Sequence, residues 1–205
     1  MTGRTYSEVI LASGSAARRR MLEAAGVAFR VVPAEVDEDE IRRAYTANDP
    51  DGTPTGVSRV LARAKAEEVS RRFPAALVIG ADQVLELGRE IYNKPADMTA
   101  ARRHLRALSG RTHRLLSTVS LAETGHETWS YLDAASLSMR DFSDDFLDGY
   151  LARTGDRICA CVGAYELEGL GVQLFESIEG DYFTILGMPL LKLLAELRQR
   201  GAMLT

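Results

Sequence analysis

Glu8-Val9-Ile10-Leu11-Ala12-Ser13-Gly14-Ser15-Ala16-Ala17-Arg18-Arg19-Arg20-Met21-Leu22 is the stretch whose reading sets the fold. Its apolar run over residues 9–12 is short and ends in Ser-Gly-Ser, the pattern of a buried strand. Ser15 then caps a helix running to about residue 25, and Gly26 stops it. A buried strand feeding a capped helix opens an α/β protein.

Outward from there, residues 28–32 read as a second strand ended by Pro33. Residues 37–56 are polar and punctuated by Pro50, Gly52 and Pro54, which predicts a loop with one helical turn near Ile41. Thr55 opens a helix to about residue 73, with Val57, Val60, Leu61, Ala64 and Val69 on one face. Residues 77–80 form a compact apolar strand that delivers Asp82 at its end, and residues 84–92 a hairpin turning at Leu87-Gly88-Arg89. A helix over 99–108 precedes two long strands, 114–122 and 128–139, which turn around Gly125. Ser143 caps a helix to about residue 153, and the glycine-spaced run 163–171 is irregular. A strand follows near 173–178, and Pro189 is the first residue of a closing helix to about residue 200. Hairpins among alternating strands and helices predict a mixed, partly antiparallel central sheet.

The length of 205 residues favours one domain or two closely packed lobes. The net charge of −4 argues against a nucleic-acid module, and no aromatic residues interleave the arginines. No apolar run approaches the ~20 residues of a membrane span. The start lacks the core of a signal peptide. Cys159 and Cys161 are too few for a disulfide framework and lack zinc spacing. They read as buried apolar residues on one face of a strand, in a reducing compartment, and the expected location is the cytoplasm.

Four signals carry chemistry. Arg18, Arg19 and Arg20 crowd the first turns of a helix, where the dipole already places positive charge. With free N–H groups and the hydroxyls of Ser13 and Ser15 they suit a phosphate chain; a solvated basic face is the alternative. The acidic run Glu35-Val-Asp37-Glu38-Asp39-Glu40 suits either solvent or a divalent ion. Asp82, beside Gly80, stands where open α/β sheets place ligand chemistry, or else merely ends a strand. Lys65, near the apolar face of its helix, and Lys94, before Pro95, can each hold a phosphate or simply snorkel to the surface. The three histidines are scattered, without metal-ligand spacing or a nucleophile partner, and there is no Walker loop or dinucleotide fingerprint.

In order along the chain, these segments resemble the motifs of the Maf family. Leu11-Ala-Ser13-Gly-Ser15-Ala-Ala-Arg18-Arg19 is similar to its Leu-Ala-Ser-x-Ser-Pro-Arg-Arg opening. The acidic loop with Asp37-Glu38 lies at the right distance. Leu61-Ala-Arg-Ala-Lys65-Ala66, Gly80-Ala-Asp82, Asn93-Lys94-Pro95, Leu108-Ser-Gly110-Arg-Thr-His113, the glycine-rich run through Glu168, and Glu179-Gly-Asp-Tyr182 through Pro189 complete the likeness. It runs nearly end to end. The resemblance implies a single Maf/ITPase-like domain over residues 1–205. That domain is two-lobed α/β with a deep nucleotide cleft, and the protein is expected as a homodimer. It also implies hydrolysis of a nucleoside triphosphate to monophosphate and pyrophosphate with a divalent cation, magnesium or manganese. Asp82 becomes the catalytic base or metal-holding carboxylate, with Asp37 its partner at the metal. Ser13, Arg18, Arg19, Lys65 and Lys94 become phosphate ligands.

Departures bear on the base. Ala16 replaces the usual proline, Asn93 a glycine, and Ala17 the first arginine of the pyrimidine-directed branch. With Gln83 after the catalytic Asp and Glu168 in the glycine-rich run, the chain is similar to the 7-methyl-GTP branch. A carboxylate at Glu168 accepts two hydrogen bonds from guanine N1–H and its amine, and it favours a positively charged methylated ring. Ala17, Gln83 and Glu168 are therefore the specificity residues. The alternatives are a dTTP- or UTP-directed pyrophosphatase and a non-catalytic nucleotide-binding regulator of cell division.

Overall fold

A computed structural model describes residues 6–48 and 53–203. Among these residues the strands are β1 (Val9–Leu11), β2 (Arg30–Val31), β3 (Leu77–Leu87), β4 (Glu90–Tyr92), β5 (Thr112–Glu123), β6 (His126–Met139) and β7 (Phe175–Glu179). The helices are α1 (Ala16–Ala24), α2 (Glu38–Asn48), α3 (Pro54–Arg72), α4 (Met98–Leu108), α5 (Asp144–Thr154), α6 (Tyr182–Ile185) and α7 (Leu190–Gln199). The strands hydrogen-bond in the order β2-β1-β3-β5-β6-β7, with β4 paired to β3. β1 runs parallel to both β2 and β3, whereas β3–β4 and β6–β7 are antiparallel, so the sheet is mixed. Among the described residues no helix is long and apolar enough to cross a membrane.

The chain divides into two compact units, Met1–Gln83 with Ser117–Asp133 and Tyr182–Thr205, and Val84–Leu116 with Ala134–Asp181. In the first, β1 is buried on both faces. Val9 and Leu11 meet Met21 and Leu22 of α1 and Leu193 and Leu197 of α7. Ile10 and Ala12 meet Val69 of α3. This two-sided burial explains why β1 lacks polar alternation. On β3, Leu77, Ile79 and Ala81 face the α1/α7 side, so Val78, Gly80 and Asp82 face α3 by the period of two.

Helix α3 lies unusually close to that face. Ser58, Ala62, Ala66 and Ser70 are buried and recur every fourth residue, a stripe of small side chains. A Cβ added at Gly80 would stand 2.3 Å from the carbonyl oxygen of Ala62. Glycine in this strand therefore answers a backbone approach. Buried polar contacts hold the helix down: Ser58 Oγ lies 2.7 Å from Thr118 Oγ1, and Ser70 Oγ accepts the Gly125 N–H at 3.0 Å.

In the second unit α4 packs on α5, with the Arg106 guanidinium on Asp144 and on the Phe142 carbonyl. His113 is fully buried in this unit, and its Nε2 lies 2.7 Å from the Tyr165 hydroxyl. Burial lowers the His113 pKa from 6.5 to about 4.

Several expectations change. The acidic segment is no loop: α2 extends from Glu38 to Asn48. Asp37 Oδ1 accepts the Glu40 N–H at 2.9 Å, and Glu38, Asp39 and Glu40 fill the first turn, where the helix dipole favours negative charge. β3 does not stop at Gly80 but continues through Asp82 to the turn at Gly88, because Val84, Leu85 and Leu87 are buried as well. Cys159 and Cys161 are half-exposed and lie in and after a 3-10 turn, Gly155–Ala160, rather than in a strand. Pro189 occupies the capping position of α7 instead of its first turn. The caps at Ser15 and Ser143 and the turns at Gly88 and Gly125 stand as read.

Two outcomes are expected. Gly80→Ala, forced against the α3 backbone, should destabilise the fold by about 3 kcal/mol in urea unfolding, at the upper end of overpacking costs. His113 resists its proton when folded, so stability should fall by about 3 kcal/mol as pH drops from 6.5 through about 4. In His113→Leu that part of the pH dependence should vanish.

Candidate active site

β1 ends at Leu11, which is in register with Ile79, while β3 runs on. Asp82 therefore emerges just past the carboxyl end of β1, beside the turn into α1. Ser13 is buried in that turn, and its Oγ accepts from the Ser15 N–H and from Arg18 Nη1 at 3.2 Å. Ser15 caps α1 through the Arg18 N–H. From the first turn of α1 the half-buried Arg18 donates through Nη1 to the Ala81 carbonyl at 2.8 Å. Its Nε donates to the Gly187 carbonyl at 2.9 Å. Arg18 thus ties α1 to β3 and to the turn before α7. Nη2 takes no part in these bonds.

Asp82 is 4% exposed, and its side chain shares the α3 face with Gly80. Lys65, buried between Ala62 and Ala66, donates to Asp82 Oδ1 at 2.7 Å. The same ammonium contacts Glu38 Oε1 at 2.8 Å. One cation thus bridges two carboxylates from α2 and β3. Asp82 Oδ2 is buried and has no hydrogen-bond partner. Burial raises the Asp82 pKa, against the attraction of Lys65 and Arg18. A carboxylate with a raised pKa is a stronger base, and one oxygen remains for a ligand.

Beside that orphaned oxygen, the Glu38 carboxylate meets Lys65 at Oε1 and Arg42 at Oε2, at 2.8 and 3.3 Å, so a hard divalent cation would have to share Glu38 with these cations. Magnesium is typically held by one or two carboxylates together with substrate phosphate oxygens. Among the described residues no three histidine, cysteine or acidic side chains gather as a ready metal cage.

The remaining expected residues fall as follows. Asp37, expected at the metal, commits Oδ1 to capping α2, and it is Glu38 that meets Lys65. The reason is positional. The residue before a helix turns its carboxylate back to the backbone, and the next one projects outward. Arg19 is exposed and pairs with Glu23 at 3.6 Å. Ala17 is half-buried in the first turn of α1. The Gln83 amide nitrogen donates to the carbonyls of Thr184 and Ile185 and to Ser117 Oγ, which turns its oxygen away from them as a fixed acceptor. In the second unit Lys94 is exposed in a shallow pocket of about 570 Å³ with Tyr92, Asn93 and His104. Glu168 is exposed in the irregular segment after Tyr165. Sequence reasoning missed Glu38 as the second carboxylate on Lys65 and the Gly187 carbonyl as the anchor of Arg18. The helix-start pattern could have revealed the first; nothing local marks the second.

A sequence model of the Maf-like protein family matches residues 8–200. A 7-methyl-GTP pyrophosphatase of Rhizobium etli is 50% identical over 194 residues, 95% of this chain and 96% of its own. A nucleoside triphosphate pyrophosphatase of Paramagnetospirillum magneticum is 52% identical over 192 residues, 94% and 98% of the two chains. A 7-methyl-GTP pyrophosphatase of Mesorhizobium japonicum is 52% identical over 195 residues, 95% and 97%.

Lys65→Met would strip the buried carboxylate of its closest cation. A loss of about 3–5 kcal/mol in thermal or urea unfolding is expected. Adding Asp82→Asn should recover much of it, because no uncompensated buried charge then remains.

Proposed function

The chain belongs to the Maf family, and from that premise we propose that it is a metal-dependent pyrophosphatase preferring 7-methyl-GTP or a similarly modified nucleotide. Its activity as a nucleoside triphosphate pyrophosphatase, a hydrolase, rests on relatives of about 50% identity over nearly the whole chain. The observation that carries the mechanism is the buried Asp82 carboxylate, one oxygen on Lys65 and the other without a partner.

The reaction is attack of water on the α phosphorus. A new P–O bond forms, the bond from that phosphorus to the α–β bridging oxygen breaks, and pyrophosphate leaves with the electron pair. In this reading Asp82 Oδ2 receives the water proton, and burial raises its basicity. Lys65 holds Oδ1 and keeps the carboxylate oriented. Arg18 Nη2 and Ser13 offer charge and hydrogen bonds to the phosphate chain. Arg19 reaches it only after leaving Glu23. Glu38, together with phosphate oxygens of the substrate, would hold the magnesium or manganese ion in place of Asp37, while Asp82 acts as the base. When bound, the ion supplies neutralisation of the phosphate oxygens.

The base preference rests on Gln83 and Glu168. Gln83 presents a fixed oxygen, since its nitrogen is held by backbone carbonyls. Glu168 offers an exposed carboxylate to the guanine N–H edge. A reducing, cytoplasmic setting is part of the proposal.

Pyrophosphate release from 7-methyl-GTP, GTP, dTTP and UTP, with magnesium or manganese, tests this reading. The highest kcat/KM is expected for 7-methyl-GTP; faster turnover of dTTP and UTP would reject the preference. Chelation should abolish turnover. Asp82→Asn should keep the fold and lower kcat by about 10²–10⁴. Glu38→Gln should raise the metal concentration needed for half-maximal rate, whereas Asp37→Asn should alter it little.

A further inference from the structure

His113 and Tyr165 form a buried polar pair that the catalytic chemistry does not use. Nε2 and the phenol oxygen are 2.7 Å apart, and the two residues are 1% and 6% exposed. His113 Nδ1 is also buried and has no partner. If the ring proton sits on Nδ1, a donor is stranded; if it sits on Nε2, a lone pair is. Either way the pair is not fully satisfied, and two apolar rings would fill the space without that penalty. What a hydrogen bond adds over apolar packing is direction.

The direction concerns the segment that follows. Ala164 has φ +56°, a left-handed conformation that side chains disfavour, and its carbonyl accepts from the Tyr150 hydroxyl at 3.2 Å. A Cβ on Gly163 would stand 2.2 Å from the Tyr165 ring. The chain is thus bent sharply to drive that ring inward, where it packs edge-on to Phe175 at 4.9 Å. Immediately afterwards the backbone closes on itself. The Gly169 N–H donates to the Glu166 carbonyl at 3.1 Å, and a Cβ on Gly171 would lie 2.5 Å from that same oxygen. Glu168 sits within this closed turn.

We propose that His113 and Tyr165 are a positioning pair that holds the 166–171 turn, and with it Glu168, in the orientation that selects the base. This rests on the reading of Glu168 as the base-selecting residue. The hydrogen bond holds the root of the turn, and the turn holds the carboxylate. Tyr165 and His113, both buried, act in this proposal only through the turn.

Tyr165→Phe tests the proposal, since it removes one oxygen and keeps the ring; His113→Gln is the second variant. Amide hydrogen exchange across 166–171 is measured beside kcat/KM for 7-methyl-GTP and UTP, with Glu168→Gln as the reference. Faster exchange confined to that turn is expected in both pair variants. So is an about tenfold smaller preference for 7-methyl-GTP, the scale of one lost hydrogen bond. The change should appear in KM, with the UTP rate unchanged. Unaltered exchange, or an equal loss on both substrates, overturns the proposal. Faster exchange with the preference intact in the pair variants, but lost in Glu168→Gln, also overturns it. If Glu168→Gln itself keeps the preference, the reading of Glu168 fails, and the exchange result still reports whether the pair holds the turn.

Discussion

The contact between Lys65 and Asp82 is the interaction on which the rest of the site depends. Burying a carboxylate is unfavourable unless a cation goes with it, and a lysine inside a protein is unfavourable for the same reason. Each makes the other tolerable at 2.7 Å. The contact requires that α3 lie almost on the backbone of β3, which the stripe Ser58, Ala62, Ala66, Ser70 and the bare Gly80 permit. A larger residue at any of these places would lift the helix and leave two opposite charges apart in an apolar layer. The packing of small residues and the acid–base character of Asp82 are one design.

Around that contact, the side chains proposed to meet substrate also serve the fold. Arg18 fastens α1 to the Ala81 and Gly187 carbonyls while lending positive charge to Asp82 and Glu38. Its guanidinium has several donors in a fixed fork, so anchoring and phosphate recognition can be divided among its nitrogens. Gln83 does likewise, with its nitrogen tied to carbonyls and its oxygen presented. Holding polar side chains by backbone carbonyls limits the reorganisation needed when a charged substrate arrives.

Local physics made much of the fold legible. Ser15 before Arg18, Ser143 before Phe146 and the glycines at 88 and 125 impose caps and turns through their own chemistry, whatever surrounds them. The acidic segment misled because five carboxylates in six residues look like a solvated loop. Asp37 as a cap and a first turn rich in Glu and Asp are equally a helix start, and packing of α2 on α3 decided the matter. Asp82 looked like the end of a strand because Gly80 interrupts the apolar run, yet that glycine answers a helix and not a turn.

Residue order and composition alone determined the alternation of strands and helices, the caps and the family likeness, and singled out Asp82, Lys65 and Arg18 as candidates for the site. Tertiary structure decided which acidic neighbour meets Lys65, Glu38 and not Asp37, and that Lys65 holds Asp82 by one oxygen while leaving the other without a partner. The division follows from range. Caps and turns are set by atoms a few residues apart. The state of a buried carboxylate is set by what lies across the fold, and by the water that this packing excludes.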